Sequence, residues 1–177
     1  MRKKYASLIL GFMIILLGTS SSCENDNELR YALAERSYQL GFIEGMIFTL
    51  DAASLFLAGT VTAEEIDIES EAMRVWKVSA NPVLNDYCDS LGVVYDDSIS
   101  NGLLGIYRMG FSTGIVEGER YVERTIINSD TTTSETQLDE RQRAKLSFEA
   151  NQEELLYLLD GVRIYKKQAI ESVDTIP

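Results

Sequence analysis

The sequence predicts an all-α protein, a bundle of about five helices made of two helical units that cross at Gly-x-x-x-Gly faces about a pseudo-twofold axis. Three observations carry this. Apolar residues recur at three, four or seven positions through most of the chain, the period of one helix face. Helix-starting and helix-stopping residues bracket those runs. The stretch "YQLGFIEGM" at 38–46 returns as "YRMGFSTGI" at 107–115, 69 residues later, inside a second helical run. Nothing alternates with period two for long enough to demand a sheet.

Taken in order, residues 1–22 open with Arg2, Lys3 and Lys4, pass through an apolar run over 8–17 broken only by Gly11, and end in small residues before Cys23. That is the layout of an export signal, its apolar core too short for a comfortable membrane span. An uncleaved anchor helix is the alternative. One domain is expected over 28–177. Asn25 and Asn27 offer capping side chains to a first helix over 28–58, where Leu29, Leu33, Leu40, Ile47, Leu50 and Leu57 keep the helical period and Gly59 ends it. Thr62 and Glu65 form a capping box for a second helix over 63–79, whose apolar members include Ile66, Met73 and Trp76. Asn81 as N-cap, Pro82 at the first helical position and Gly92 as stop define a third. A scrap of extended chain at 93–95 leads to a fourth helix over 99–127. After a polar connector, Ser134 and Gln137 repeat the capping box ahead of a last helical segment over 137–173. Asn151 divides that segment, and Leu155, Leu159, Val162, Tyr165 and Ala169 stripe its later part.

Glycine is a poor helix residue, yet Gly41 and Gly45 in the first helix, and Gly110, Gly114 and Gly118 in the fourth, lie four apart on one face each. Each costs about 1 kcal/mol against alanine, so the five together cost about 5 kcal/mol, comparable to the net stability of a small domain. Close approach of another backbone offsets such a cost. The two glycine faces are therefore expected to meet at the centre, with Phe42 and Phe111 beside the crossing, and 28–95 and 97–173 to be copies of one unit. Chance recurrence is the competing reading, and the repeated capping boxes argue against it. A glycine zipper inside a membrane is disfavoured, because Glu44, Asp51, Glu117, Glu119 and Arg120 interrupt both helices.

Removal of 1–22 would leave 13 Lys+Arg against 28 Asp+Glu, a formal charge of −15. Such a chain repels phosphate backbones, so no nucleic-acid partner is expected. Cys88 would be the one free thiol, which rules out an intrachain disulfide and suits a packed core position better than an intermolecular bridge. With no histidine, the commonest general base and metal ligand is missing, and no glycine-rich phosphate loop or Gly-x-Ser-x-Gly occurs. No metal or cofactor is expected. "DDSISNG" fails as a calcium loop, because Ile99 and Arg108 would fall at ligand positions. Glu44, Asp51 and Glu117 are the carboxylates that an acid–base pair could use; helix-borne acids are more often solvated. Seven helical tyrosines, Tyr31, Tyr38, Tyr87, Tyr107, Tyr121, Tyr157 and Tyr165, suit contact surfaces and core edges alike.

Serines running into Cys23 resemble the lipobox of bacterial lipoproteins, of the serine-rich kind found in Bacteroidetes. The resemblance implies cleavage before Cys23, acylation of its thiol, and an acidic lipid-anchored tether over 23–27. The "ENDNE" stretch at 24–28 is similar to the tag that sends such lipoproteins to the outer face of the outer membrane, so the surface is favoured over the periplasmic face. "GFIEG" at 41–45, "VTAEEI" at 61–66 and Asn81-Pro82 further resemble the Tai-like immunity proteins of type VI secretion. That family implies a periplasmic inhibitor of a peptidoglycan amidase toxin, acting through a loop at 58–65 or 94–102. Cysteines beside the family's Gly-aromatic motif and its closing segment have no counterparts here. The leading expectation is a non-enzymatic binding or protein-interaction module in the envelope. Amidase immunity is the alternative, and a carboxylate-dependent hydrolase ranks last.

Overall fold

The computed structural model describes residues 2–59, 67–124 and 139–167, with side chains from Asp26 onward. Among the described residues everything is helix, turn or loop apart from one isolated β-bridge, so the all-α bundle forms. Helix α1 spans Arg2–Leu57 without a break. Asn25 and Asn27 therefore do not start it: no proline or glycine stands between Ser20 and Gly41, and a capping side chain starts a helix only where the preceding backbone has left one.

Helix α2 (Ile68–Val75) starts later than expected. Asp67 is extended, with φ −90° and ψ 94°, and its carboxylate accepts from the Ser70 N–H at 3.1 Å. Asp139 does the same for α5 (Glu140–Ala150), accepting from the Arg141 N–H. An aspartate both fills an orphan donor and complements the positive end of the helix dipole. Thr62, Glu65, Ser134 and Gln137 lie outside the described residues.

Asn81 is not an N-cap. One π-helical turn, Trp76–Ala80, carries α2 directly into α3 (Asn81–Ser90), and Asn81 is itself helical at φ −60° and ψ −46°. Pro82 has no N–H to give to residue 78 and crowds that carbonyl, so the chain widens by a π turn instead of stopping. The Asn81 amide oxygen accepts from the Tyr95 hydroxyl, tying the start of α3 to the loop before α4. Helix α4 (Asp97–Val122) is capped by Asp96, which accepts from the Ile99 N–H at 2.9 Å, so 94–102 is only partly loop. The polypeptide breaks at Asn151, as expected, into α5 and α6 (Gln152–Tyr157). Among the described residues helix does not continue past Tyr157, and Ala169 lies outside them. Gly161 takes φ +79°, and 162–167 runs back in extended form along the first unit, where the Val94 N–H donates to the Tyr165 carbonyl at 2.8 Å and Lys166 bridges Val93. Val162 and Tyr165 thus belong to a strap and not to a helix stripe.

At the centre α1 and α4 meet backbone to backbone. A methyl at Gly41 would overlap the Tyr107 carbonyl oxygen, and one at Gly110 the Tyr38 carbonyl oxygen; Gly45 sits on the Phe111 carbonyl and Gly114 on that of Phe42. Those pairs are reciprocal under the 69-residue offset. Gly118 extends the seam, where an added carbon would stand 2.8 Å from Thr49 Cβ. Ser37 Oγ donates to the Leu103 carbonyl at 2.7 Å and Thr49 Oγ1 to that of Ile115 at 3.4 Å, each 66 residues along the chain. Contacts that advance together mean that the two helices run parallel, about a local twofold axis along their common direction. Phe42 and Phe111 are fully buried beside the seam.

The flanking helices recur as well. Ala72 and Trp76 are buried in the first unit as Ala144 and Phe148 are in the second; Leu84 and Cys88 recur as Leu155 and Leu159. Gly92 and Gly161, both with positive φ, end the two hairpins. The hairpins are exchanged in part: Phe148 of the second packs on Tyr38 of α1 and Trp76 of the first packs on Tyr107 of α4, while the first hairpin also stays on its own α1, where Ser79 Oγ donates to Glu44. Neither unit closes its core alone.

Candidate functional site

The exchange creates two aromatic triads. Tyr38 has ring centroids 6.4 Å from Phe42 and 5.8 Å from Phe148; Tyr107 has them 5.9 Å from Phe111 and 5.2 Å from Trp76. Both tyrosines are buried. Their hydroxyls fare differently. The Tyr38 hydroxyl is hydrogen-bonded to Ser147 Oγ at 2.7 Å, whereas that of Tyr107 is buried with no partner among the described residues. The residue before Phe148 is Ser147; the residue before Trp76 is Val75. Valine offers no oxygen where the second unit supplies one, and a buried hydroxyl without a partner costs about 1–3 kcal/mol.

Val75 lies in a groove of about 350 Å³ between α1 and α2, lined also by Glu44, Ile47, Phe48, Asp51, Leu55, Glu71 and Arg74. α1 supplies Glu44, Phe48, Asp51 and Leu55 at helical spacing, hence on one face. Glu44 accepts from Ser79 Oγ at 3.0 Å, and Glu71 is paired with Arg74 at 2.6 Å, which holds its carboxyl below the usual carboxylate range. Burial pushes the Tyr107 hydroxyl well above the ordinary tyrosine range, and the Glu44 and Glu71 charges push it the same way, while Arg74 opposes them. The groove-lining charges are thus the ones that the hydroxyl feels. At neutral pH it keeps its proton and is a buried donor, not a base.

Of the carboxylates singled out in the sequence, Glu44 and Asp51 share this groove, but Glu117 is on α4, ion-paired with Arg120. Under the same 69-residue offset Thr113 and Arg120 of α4 stand where α1 has Glu44 and Asp51, while Glu117 stands where it has Phe48, so the charge pattern of the two units differs. Cys88 is free and fully buried, and burial pushes its thiol up to about 11, which keeps it un-ionised and inert. Cys23 lies within α1, and its side chain is outside the described ones. Among the described residues no group of three or more Cys, Asp and Glu side chains is placed to hold a metal ion. Sequence reasoning missed Val75, Ser37 and Thr49. Aligning the second hairpins as well as the glycine helices would have set Val75 against Ser147 and exposed the unmatched hydroxyl.

Fold and site together define an all-α bundle of two interlocked helical units, with an acidic, apolar-walled groove between α1 and α2 and a larger one, of about 920 Å³, lined by Glu28, Tyr31, Glu153, Leu156, Tyr157 and Asp160. No protein family, curated protein or solved structure matches the chain.

Proposed function

We propose that the chain is an outer-membrane lipoprotein, held through lipid on Cys23, that works as a non-enzymatic protein-interaction module through the groove between α1 and α2. The observation that supports this reading is the apolar surface beside that groove: Ile47, Phe56 and Leu57 on α1 are 48%, 60% and 65% exposed. Large apolar side chains gathered on one end of a helix mark contact surfaces far more often than scattered single ones do. Distance from the anchor favours the same end. From Cys23 to Leu57, α1 rises about 50 Å, and Glu44 comes about 30 Å along it. A lipid on Cys23 would leave the groove reaching away from the bilayer, and the acidic tether at 23–27 favours the cell-surface face.

Two measurements test the reading. Cys23→Ser is expected to abolish incorporation of labelled palmitate and shift the protein to the soluble fraction; firm membrane retention would remove the lipid anchor. A photo-crosslinking amino acid at position 56 in living cells is expected to give a protein adduct that is absent when it stands at 146, an exposed leucine on α5. Equal adducts at both positions, or adducts to lipid alone, would overturn docking at this end. An adduct with a peptidoglycan amidase would turn the interaction module into an immunity protein.

A further inference from the structure

We propose that the Cys23 end of the bundle is a membrane-seating surface: Tyr157, Leu158, Val94 and Tyr165 lie in the headgroup layer of a zwitterionic phospholipid bilayer, with the Arg163 guanidinium on phosphate. This rests on lipidation of Cys23, and it adds how the body of the protein then sits. Position along α1 places these side chains at the right height. Lys166 Nζ is 3.5 Å from the Asp26 carboxylate, and Asp26 follows Cys23 by three residues, a rise of about 4.5 Å. Tyr157 shares a groove with Asn27 and Glu28, about 6–8 Å along the helix from Cys23. The headgroup layer on one face of a bilayer is about 5–8 Å deep, so both tyrosines fall within reach of it. Helix α1 runs unbroken through 23–27 and leaves no slack between lipid and body. The strap turns its rings outward. After Gly161, Val162 and Ile164 pack on the core, while Arg163 and Tyr165 are exposed. The Val94 N–H bonds the Tyr165 carbonyl, which sets those two residues side by side. Tyr157 and Tyr165 are 75% and 51% exposed, and Leu158 and Val94 are exposed with them. A tyrosine ring, apolar in its body and polar at its tip, is favoured at the boundary between lipid and water. Charge selects the kind of surface. Lys166 is matched by Asp26 and Lys167 by Asp89 at 2.6 Å, while Glu28, Glu153 and Asp160 line the adjoining groove. An anionic surface would therefore gain little here and would repel a mature chain of −15; a zwitterionic one does not, and the rings supply the attraction. The apolar end at Phe56 and Leu57 is about 50 Å up α1 and cannot reach the same bilayer.

The test uses the mature, lipidated chain in nanodiscs of phosphatidylcholine and phosphatidylethanolamine. A nitroxide is attached at Leu158→Cys or, as the far-end reference, at Leu57→Cys; Cys88 is buried and stays unlabelled. Paramagnetic resonance then compares collisions of the nitroxide with oxygen, which concentrates in lipid, and with a water-soluble nickel chelate. The oxygen-to-nickel ratio is expected to be at least about fivefold higher at 158 than at 57. Tyr157→Ser combined with Tyr165→Ser replaces two exposed rings, so the melting temperature should hardly move, yet the ratio at 158 should fall at least about twofold. Sodium chloride at about 0.5 M should leave the ratio unchanged. Equal ratios at the two positions overturn the proposal, and so does a ratio at 158 that ignores the loss of both rings or collapses in salt. Nickel shielding at 158 that persists in lipid-free Cys23→Ser protein would mean that the chain itself or a second copy covers the surface, and overturns it as well. The anchor and the seating fail separately. If Cys23 takes up labelled palmitate and the nitroxide at 158 meets nickel as freely as that at 57, the anchor stands and the seating falls. If Cys23→Ser protein remains on the nanodisc with 158 still shielded, the surface holds lipid by itself and the anchor reading falls.

Discussion

Tyr38 and Tyr107 occupy equivalent places in two equivalent units, and they have come to different ends. Each lies in an aromatic triad, each shields the glycine crossing, and each packs on a hairpin lent by the other unit. Around Tyr38 the protein has completed its own hydrogen bonding: Ser147 takes the hydroxyl. Around Tyr107 it has not: no described residue takes that hydroxyl, and the charges of Glu44 and Glu71 act on it. One copy is finished as scaffold and the other is left with an unspent donor beside charge. When a fold is built twice, the place where its symmetry fails is the place to look for a task other than folding.

The sharpest way to break the comparison is to remove the hairpin anchors. Phe148→Ala and Trp76→Ala should each cost about 3–5 kcal/mol in urea unfolding, since both rings are buried against the equivalent tyrosine. A threefold difference between them would deny the structural equivalence of the units. Alkaline titration comes next. The folded Cys88 thiol holds its proton up to about 11, against an ordinary value of 9.0. Stability is therefore full below pH 9 and falls as pH rises toward 11, by up to about 3 kcal/mol, because the unfolded chain releases the proton first. The second unit has Leu159 in this place, so Cys88→Ala should flatten most of the slope, and Tyr107→Phe should remove a further share above pH 10.

Glycine substitutions probe the axis itself. Gly41→Ala and Gly110→Ala should each lose about 2 kcal/mol, an overpacking cost of about 3 reduced by alanine's better helix propensity of about 1. The two values should agree, because each methyl meets the same reciprocal carbonyl, and the double variant should cost less than the sum, since one separation of α1 from α4 relieves both clashes. The smallest effect is the most telling. Tyr38→Phe should lose about 1 kcal/mol by stripping Ser147 of its partner, while Tyr107→Phe should gain about 1 kcal/mol by removing an unsatisfied hydroxyl. Thermal melts of the two variants should move in opposite directions; movement in the same direction would mean that Tyr107 has a hydrogen bond after all.

The sequence alone determined the helical class, the break at Asn151 and the meeting of the two glycine faces. These follow from period and from steric necessity: helical glycines four apart, twice over, are tolerated only where another backbone comes close. It misjudged ends. Asn81, with Pro82 behind it, has the chemistry of a helix start, yet tertiary packing held the chain in one helical path and pressed the irregularity into a π turn. The stripe through Val162 and Tyr165 has helical spacing, but Gly161 turned the backbone and Gly92 and Val94 supplied strand-like partners 70-odd residues away along the chain, roughly a loop-closure distance that local propensity cannot sense. Tertiary structure alone decided which tyrosine is satisfied. Hydrogen bonding of a buried hydroxyl depends on what the other unit's hairpin places within 3 Å or so of it, and no local pattern around Tyr38 or Tyr107 records whether that is Ser147 or Val75.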